Sequence, residues 1–406
     1  TESPLQVSYI NREITGEFVE RFGERFYAIE NVDRMAPFFV SVVSHDNHWL
    51  FASSNGGLTA GRVSAETALF PYVTVDKIHD SATHAGCLTL MQIERNGEQT
   101  EWQPFDPSRH PNAPIRRTLY KSVAGNTLCF EECHLELGLT FRYRWRFSSQ
   151  FGFVRDCELV NNDERNYTIR LLDGLRNLLP AGAPRFAQTN TSNLVDAYKW
   201  SELKSETQLG LFSLYSAITD RAEPAESLRA NTVFLQGQDD ATVHLTDDIV
   251  DVFRAGDTPA QRVRARGQRG CFLAISEIAL DGGDARRWRM VAEIEQDQSA
   301  VSELNMRLAS DTSLSDVIEQ DIAEGTDALL KLLAGADALQ STAEEIVSVH
   351  HYANVLFNVL RGGTFDHHYR VQPRDFLRSI TLFDCNLAAQ HREWLEQLPG
   401  EMHMPE

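Results

Sequence analysis

From Leu139 to Phe147 the chain reads Leu-Thr-Phe-Arg-Tyr-Arg-Trp-Arg-Phe, apolar at each odd position and Thr or Arg at each even one. A side-chain period of two is the signature of a β-strand with one face on a core. The other face of this strand is basic, and a slip of one residue would bury it, so the register is strongly specified.

The same character runs through residues 1–300. Gly23–Glu30 is an aromatic-rich segment after a turn. Phe38–Val43 and His48–Ala52 flank Ser44-His45-Asp46-Asn47 as a hairpin, and Leu88–Glu94 and Gln99–Trp102 flank a turn containing Asn96-Gly97. Asn-Gly between alternating strands is a strong hairpin signal. Further strands are predicted at 118–123, 127–132, 153–159, 167–172, 210–218, 232–235, 270–275 and 288–294. So many strands separated by turn residues point to a large antiparallel sandwich.

The pattern changes near Ser299. Ser315 is a plausible N-cap for a helix with Ile318, Ile322, Gly325, Leu329 and Leu332/Leu333 inward, ending at Gly335. Thr342-Ala343-Glu344-Glu345 reads as a capping box. The helix it opens places Ile346, Val349, Ala353, Leu356/Phe357 and Leu360 inward and stops at Gly362-Gly363. Pro373 suits a first helical position, with Phe376, Ile380, Phe383 and Leu387 on one face until Leu398-Pro399-Gly400. The expected organisation is a β-sandwich over 1–300 and a helical region of about three helices over 301–406.

The net charge of −20 argues against nucleic acid or an anionic membrane as partner. No apolar run approaches the ~20 residues a membrane span needs, and the start carries no signal-peptide pattern. Six cysteines scattered over 406 residues read as reduced thiols of a cytoplasmic protein.

Several clusters invite a chemical reading. Ser53-Ser54-Asn55-Gly56-Gly57-Leu58-Thr59-Ala60-Gly61-Arg62 combines three glycines with hydrogen-bonding side chains. It is either plain turn chemistry or a loop that also binds something polar. Cys129-x-x-x-Cys133-His134 offers zinc-type donors, but on a strand the His points away from the two Cys, so buried thiols are the expectation and a metal is not. Of the pairs His350-His351 and His367-His368, the first lies on a helix, where neighbours face different ways. Arg361 and Asp366 flank Gly362-Gly363-Thr364-Phe365, either as an ion pair fixing a helical corner or as part of a polar-ligand or interface site. The adjacent carboxylates Glu131/Glu132, Asp239/Asp240, Asp247/Asp248/Asp251 and Glu344/Glu345 are expected to face solvent. No nucleophile elbow, phosphate loop or dinucleotide fingerprint is present.

The order of segments resembles the N-terminal part of cellobiose-phosphorylase-like enzymes, glycoside hydrolase family ninety-four. The likeness is carried by Phe26–Asn31, Ser53–Arg62, Leu69-Phe70-Pro71-Tyr72 and Tyr352–Gly363. It implies a supersandwich of the galactose-mutarotase kind, then a helical linker, then an (α/α)6 barrel, expected after Glu406. Enzymes of this family cleave β-glucosidic bonds with inorganic phosphate as co-substrate and inversion at the anomeric centre, and their general acid is a barrel aspartate. No catalytic residue and no cofactor is therefore carried over to these 406 residues.

The resemblance implies a non-catalytic region that contributes carbohydrate binding and packs against the barrel and a second copy in a homodimer. Asn55, Arg62, Arg361 and Asp366 would shape the rim of a β-linked oligosaccharide site or hold the linker to the barrel. One alternative is a stand-alone carbohydrate-binding or assembly module using Trp49, Trp102, Trp145 or Trp200, unless these are core residues. Another is an aldose epimerase, which would have to bring His134 or His244 together with Glu158 or Glu277. A chain that packs on a barrel should expose apolar side chains on its helices, with Leu382, Trp394, Leu395 and Leu398 as candidates.

Overall fold

The computed structural model describes residues 13–406 apart from 96, 109–112, 191, 217–227, 258, 363–369, 398–401 and 404–406. Strands come in the order β1 (Thr15–Arg21), β2 (Glu24–Glu30), β3 (Phe39–Val43), β4 (His48–Ser53), β5 (Leu58–Arg62), β6 (Gly86–Arg95), β7 (Glu98–Trp102), β8 (Ile115–Ser122) and β9 (Leu128–His134). They continue with β10 (Leu139–Ser148), β11 (Gly152–Asn161), β12 (Tyr167–Leu178), β13 (Lys199–Lys204), β14 (Leu209–Leu214) and β15 (Arg229–Gln236). The last of this series are β16 (Thr242–His244), β17 (Arg264–Arg266), β18 (Gly270–Leu280) and β19 (Ala285–Asp297).

Eleven of these strands form one sheet, β1-β2-β8-β9-β10-β11-β19-β15-β14-β13-β17, and five form a second, β16-β18-β12-β6-β7. Strands β3-β4-β5 make a third, small sheet. Neighbouring strands run antiparallel throughout these three sheets. The fold is a mostly antiparallel β-sandwich followed by helices.

The alternation of β10 decides the layering. Phe141, Tyr143 and Trp145 enter the main core beside Cys157 and Leu159 of β11 and Trp288 and Met290 of β19. Facing them across the sandwich are Met91 and Ile93 of β6, Ile169 and Leu171 of β12, and Phe272 and Ile278 of β18. Each fully buried side chain of this size contributes about 1.5–3 kcal/mol through apolar burial.

Both sheets also carry cover on their outer faces. Ile249 and Phe253, on the short helix Ile249–Arg254, pack on Leu90, Leu172 and Leu273 of the five-stranded sheet. Helices α1 (Gln298–Ser310) and α2 (Leu314–Ala334) follow β19 in the chain. Leu314, Ile318 and Ile322 pack on Val154, Phe234 and Val291 of the large sheet, with Val301, Leu304 and Leu308 alongside. The chain divides into two compact units between Gly325 and Thr326, because these helical turns belong to the outer face of the sheet.

The second unit holds α3 (Glu345–Gly362), α4 (Pro373–Phe383), α5 (Cys385–Gln390) and α6 (Arg392–Glu396). Several expectations are corrected here. Helix α2 begins at Leu314, so Ser315 lies inside it and is not its cap, and Leu332 is partly exposed while Leu333 is buried. Among the described side chains of α3, Tyr352 and Leu356 are buried and Val349 is partly buried, whereas Ile346, Ala353 and Phe357 are exposed; the side chain of Leu360 lies outside the described residues. The stripe from Phe376 to Leu387 is cut at Asp384, whose carboxylate accepts from the Asn386 and Leu387 N–H groups and starts a new helix. Phe383 is left 97% exposed.

Glu131 and Glu132 do not face solvent. Adjacent strand residues point to opposite faces, and both faces of β9 are covered. Glu132 is fully buried and accepts from Trp102 Nε1 at 2.8 Å, Phe105 N at 2.8 Å and Arg117 Nε at 2.7 Å. Glu131 accepts from the Tyr120 hydroxyl at 2.9 Å on the other side. Cys129 packs with Phe26, Ala28 and Tyr120, while His134 meets the edge of Trp102.

Candidate functional site

The glycine-rich stretch turns into a strand, β5, because its first half closes on itself. Ser53 N donates to Gly57 O at 2.7 Å, and Asn55 Oδ1 accepts from Gly57 N at 3.2 Å. Gly56 has φ +97°, a left-handed conformation that side chains resist. At Gly57 a Cβ would run into the Ile78 carbonyl and the Ser81 hydroxyl, so the close approach is between parts of this chain. Asn55 Nδ2 donates to His79 O at 2.9 Å, and Ser53 Oγ lies 2.7 Å from His79 Nδ1. Asn55 thus clamps the turn His79–Thr83, and it borders a small cavity with Thr89, Gln103, Tyr143 and Arg176.

Arg62 stands at the far end of β5. Its guanidinium pairs with Asp46 of the β3–β4 turn and with Glu293 of β19, tying the small sheet to the large one. Glu293 is buried, and burial raises its carboxyl to about 7 against the attraction of Arg62. Asn55 and Arg62 are not brought together. Arg361 lies in the last turn of α3, and Asp366 lies outside the described residues, as do His367 and His368. His351 of the first histidine pair bonds the Asp337 carbonyl at 2.8 Å, and His350 is exposed.

A cleft of about 640 Å³ lies elsewhere, on the outer, basic face of β10. Arg142, Arg144, Asp156, Glu158, Arg287 and Arg289 project into it from β10, β11 and β19, and Phe22 and Glu319 close its rim. Cross-strand registers set these pairs: Arg142 faces Glu158 and Arg144 faces Asp156, while Asp156 faces Arg289 and Glu158 faces Arg287. Arg142 Nη1 and Arg287 Nε both donate to Glu158, each at 2.7 Å. Arg146 lies behind and donates to Asp156 and Glu319. The Arg144 guanidinium lies 4.2 Å from the centroid of the Phe22 ring.

Burial alone would raise the Glu319 carboxyl, but hydrogen bonds and charges from Arg146 and Arg289 bring it down to about 2. Such a group is ionised at neutral pH and holds no proton to donate. The cleft therefore offers planar donors and acceptors beside a half-exposed aromatic ring, a surface for hydroxyl-rich ligands. The alternation of β10 made its basic half legible. Its acidic half required the register with β11 and β19.

The residues named for an epimerase do not converge. His134 faces Leu139, a core residue, and Glu158 faces Arg142 on the opposite face of the same sheet. His244 pairs with Leu273, two side-chain repeats along β18 from the exposed Glu277, about 13 Å by strand rise. Trp102 and Trp145 are in the core, whereas Trp49 and Trp200 are half-buried. Among the described residues no group of three or more His, Cys, Asp or Glu side chains is arranged to hold a metal ion, and no helix is long and apolar enough to cross a membrane.

No family model matches the chain, and comparison with curated proteins finds no match. Solved structures with partial likeness include a bacterial glucoamylase complexed with acarbose, at 10% identity and TM-score 0.39, covering 91% of this chain and 53% of that one. A putative aldose 1-epimerase from Klebsiella pneumoniae aligns at 8% identity and TM-score 0.33, over 75% of this chain and 94% of that one. A family GH92 alpha-mannosidase from Bacteroides thetaiotaomicron aligns at 10% identity and TM-score 0.35, over 86% and 39%. The chain thus spans about half of the glucoamylase it matches. Likenesses this distant carry no weight on what the chain does.

Proposed function

We propose that this chain is the non-catalytic N-terminal region of a cytoplasmic glycoside phosphorylase resembling glycoside hydrolase family ninety-four. The parent enzyme would act on β-linked glucooligosaccharides by inverting phosphorolysis, with inorganic phosphate as co-substrate and a general acid in a following barrel. The sandwich and helices would contribute carbohydrate binding and packing against that barrel and a second copy.

The observation that carries this reading is apolar exposure on the C-terminal helices. Leu382 is 79%, Phe383 97% and Trp394 58% exposed, on α4 and α6, which contact each other. Large apolar side chains grouped on neighbouring helices favour a protein surface as their partner. Two of the four positions expected to be exposed, Leu382 and Trp394, are so; Leu398 lies outside the described residues, as does the side chain of Leu395. The guanidinium-bound carboxylates of the cleft also favour binding over proton transfer. Asn55 and Arg62, both engaged within the chain, would act by holding the sandwich's shape.

The test is phosphate incorporation and release with a panel of β-glucobioses and glucose-1-phosphate, comparing these 406 residues with the longest product of the gene. Turnover only in a longer product supports the proposal. Turnover by the 406 residues alone overturns it.

A further inference from the structure

A second cleft, of about 400 Å³, lies on the same outer face of the large sheet, some strands away from the first and against α1. Its volume is within the about 300–1,000 Å³ typical of small-molecule sites. Trp200 of β13 borders it, half-buried, with the Arg266 guanidinium 4.0 Å from the ring centroid. The Tyr215 ring, 72% exposed, lies 6.1 Å from Trp200 and extends the aromatic surface.

The polar groups beside this ring are already oriented. Glu202 accepts from Trp200 Nε1 at 3.4 Å and from Lys204 Nζ at 3.0 Å. Burial would raise its carboxyl, but those two bonds hold it below its ordinary range, so it stands as a fixed acceptor. Across the cleft, Asn305 of α1 is held by the Thr207 hydroxyl, which donates to its Oδ1 at 2.7 Å. Among the described residues, Glu202 and Asp297 border the cleft with Lys204, which Glu202 binds, and Arg229, which pairs with Glu295, while the Arg266 guanidinium lies against the Trp200 ring.

An aromatic platform, planar hydrogen-bonding groups and cations already paired with carboxylates match one ligand chemistry. A pyranose has an apolar C–H face that stacks on a ring, an equator of hydroxyls that pair with carboxylate and amide groups, and no net charge. A nucleotide or sugar phosphate would call for uncommitted cations on the cleft's border, whereas Lys204 and Arg229 are each held by a carboxylate. We infer that the Trp200 cleft is a binding site for a neutral oligosaccharide, separate from the Phe22 cleft and independent of whether a parent enzyme performs phosphorolysis.

The experiment is isothermal titration of the whole chain with cellotetraose, laminaritetraose, maltotetraose and mannotetraose at millimolar concentrations. Variants Trp200→Ala, Glu202→Gln and Val75→Ala are compared, each checked for an unchanged melting temperature. The expected result is saturable binding of at least one tetrasaccharide, weakened about tenfold or more by Trp200→Ala. Glu202→Gln should weaken it less, and Val75→Ala, at an exposed position outside both clefts, should leave it unchanged. Should Trp200→Ala fold poorly, Trp200→Phe and Glu202→Gln together decide the matter. Binding to none of the four sugars, or binding that survives these Trp200 and Glu202 changes, overturns the inference. Neither result depends on the phosphorolysis assay, which detects turnover and not binding.

Discussion

Arg155 of β11 lays two guanidinium nitrogens on the two carboxylate oxygens of Asp173 of β12, at 2.8 and 2.9 Å, and both side chains are fully buried between the sheets. The pair is not left bare. Thr89 donates to Asp173 at 2.6 Å and Trp288 Nε1 donates at 2.8 Å, so three strands and both layers converge on one carboxylate. The Arg155 guanidinium lies 4.8 Å from the Tyr143 ring centroid.

Asp173→Ala removes the acceptor and strands a cation in the core. Breaking a buried pair from one side costs about 3–5 kcal/mol. Urea unfolding should show a loss of that size, and a double change of Arg155→Met with Asp173→Leu should recover much of it. A loss below about 1 kcal/mol for Asp173→Ala would mean the core rehydrates there.

Glu319 fastens α2 to the sheet through Arg146 and Arg289. Its carboxyl titrates near 2 when folded against an ordinary 4.5, so its stabilisation is present above pH 4.5 and is lost as pH falls toward 2. The group is partly exposed, and screening leaves about 1 kcal/mol. Glu319→Gln should lower the melting temperature at pH 7, with the gap to wild type closing toward pH 2. A gap independent of pH would point to helix packing instead.

Glu293 runs the other way. Burial raises its folded pKa to about 7, above the ordinary 4.5, so the folded state holds the extra proton between those values. Its contribution is greatest below pH 4.5 and declines as pH rises to about 7, by on the order of 3 kcal/mol. The melting temperature of Glu293→Gln relative to wild type should therefore rise across that window and level off above it. A constant difference would show that Arg62 keeps Glu293 ionised throughout.

Among the cysteines, Cys385 at the start of α5 is exposed, while Cys129, Cys157 and Cys271 are buried. Burial pushes the Cys129 and Cys271 thiols up to about 12, far from reactive thiolate at neutral pH. A thiol reagent at pH 8 should show one fast-reacting group that Cys385→Ser abolishes. The three buried thiols should respond only in denaturant.

Much of the fold was legible because its signals are local. The alternation in β10, the Asn96-Gly97 turn and Pro373 at the head of α4 act within a few residues, so strand, hairpin and helix start follow from side-chain period and backbone chemistry. Strand β1 was missed because it is a largely exposed edge strand with no apolar period, and β5 because glycines and Thr hid it inside an apparent loop. The candidate site was half legible for the same reason: the basic face of β10 is a local pattern, while its acidic partners are not.

The amino-acid sequence alone determined the class of the molecule, antiparallel strands followed by helices, since period and turn chemistry act between near neighbours. Only the tertiary structure decided that Glu132 is buried under Trp102, that Arg62 meets Glu293, and that His134 and Glu158 stand on opposite faces of one sheet. Those outcomes depend on strand register and on which layer covers each face, and they join residues up to 231 positions apart. No local preference encodes them, because they are set by which pairing buries the most apolar surface while leaving each buried charge a partner.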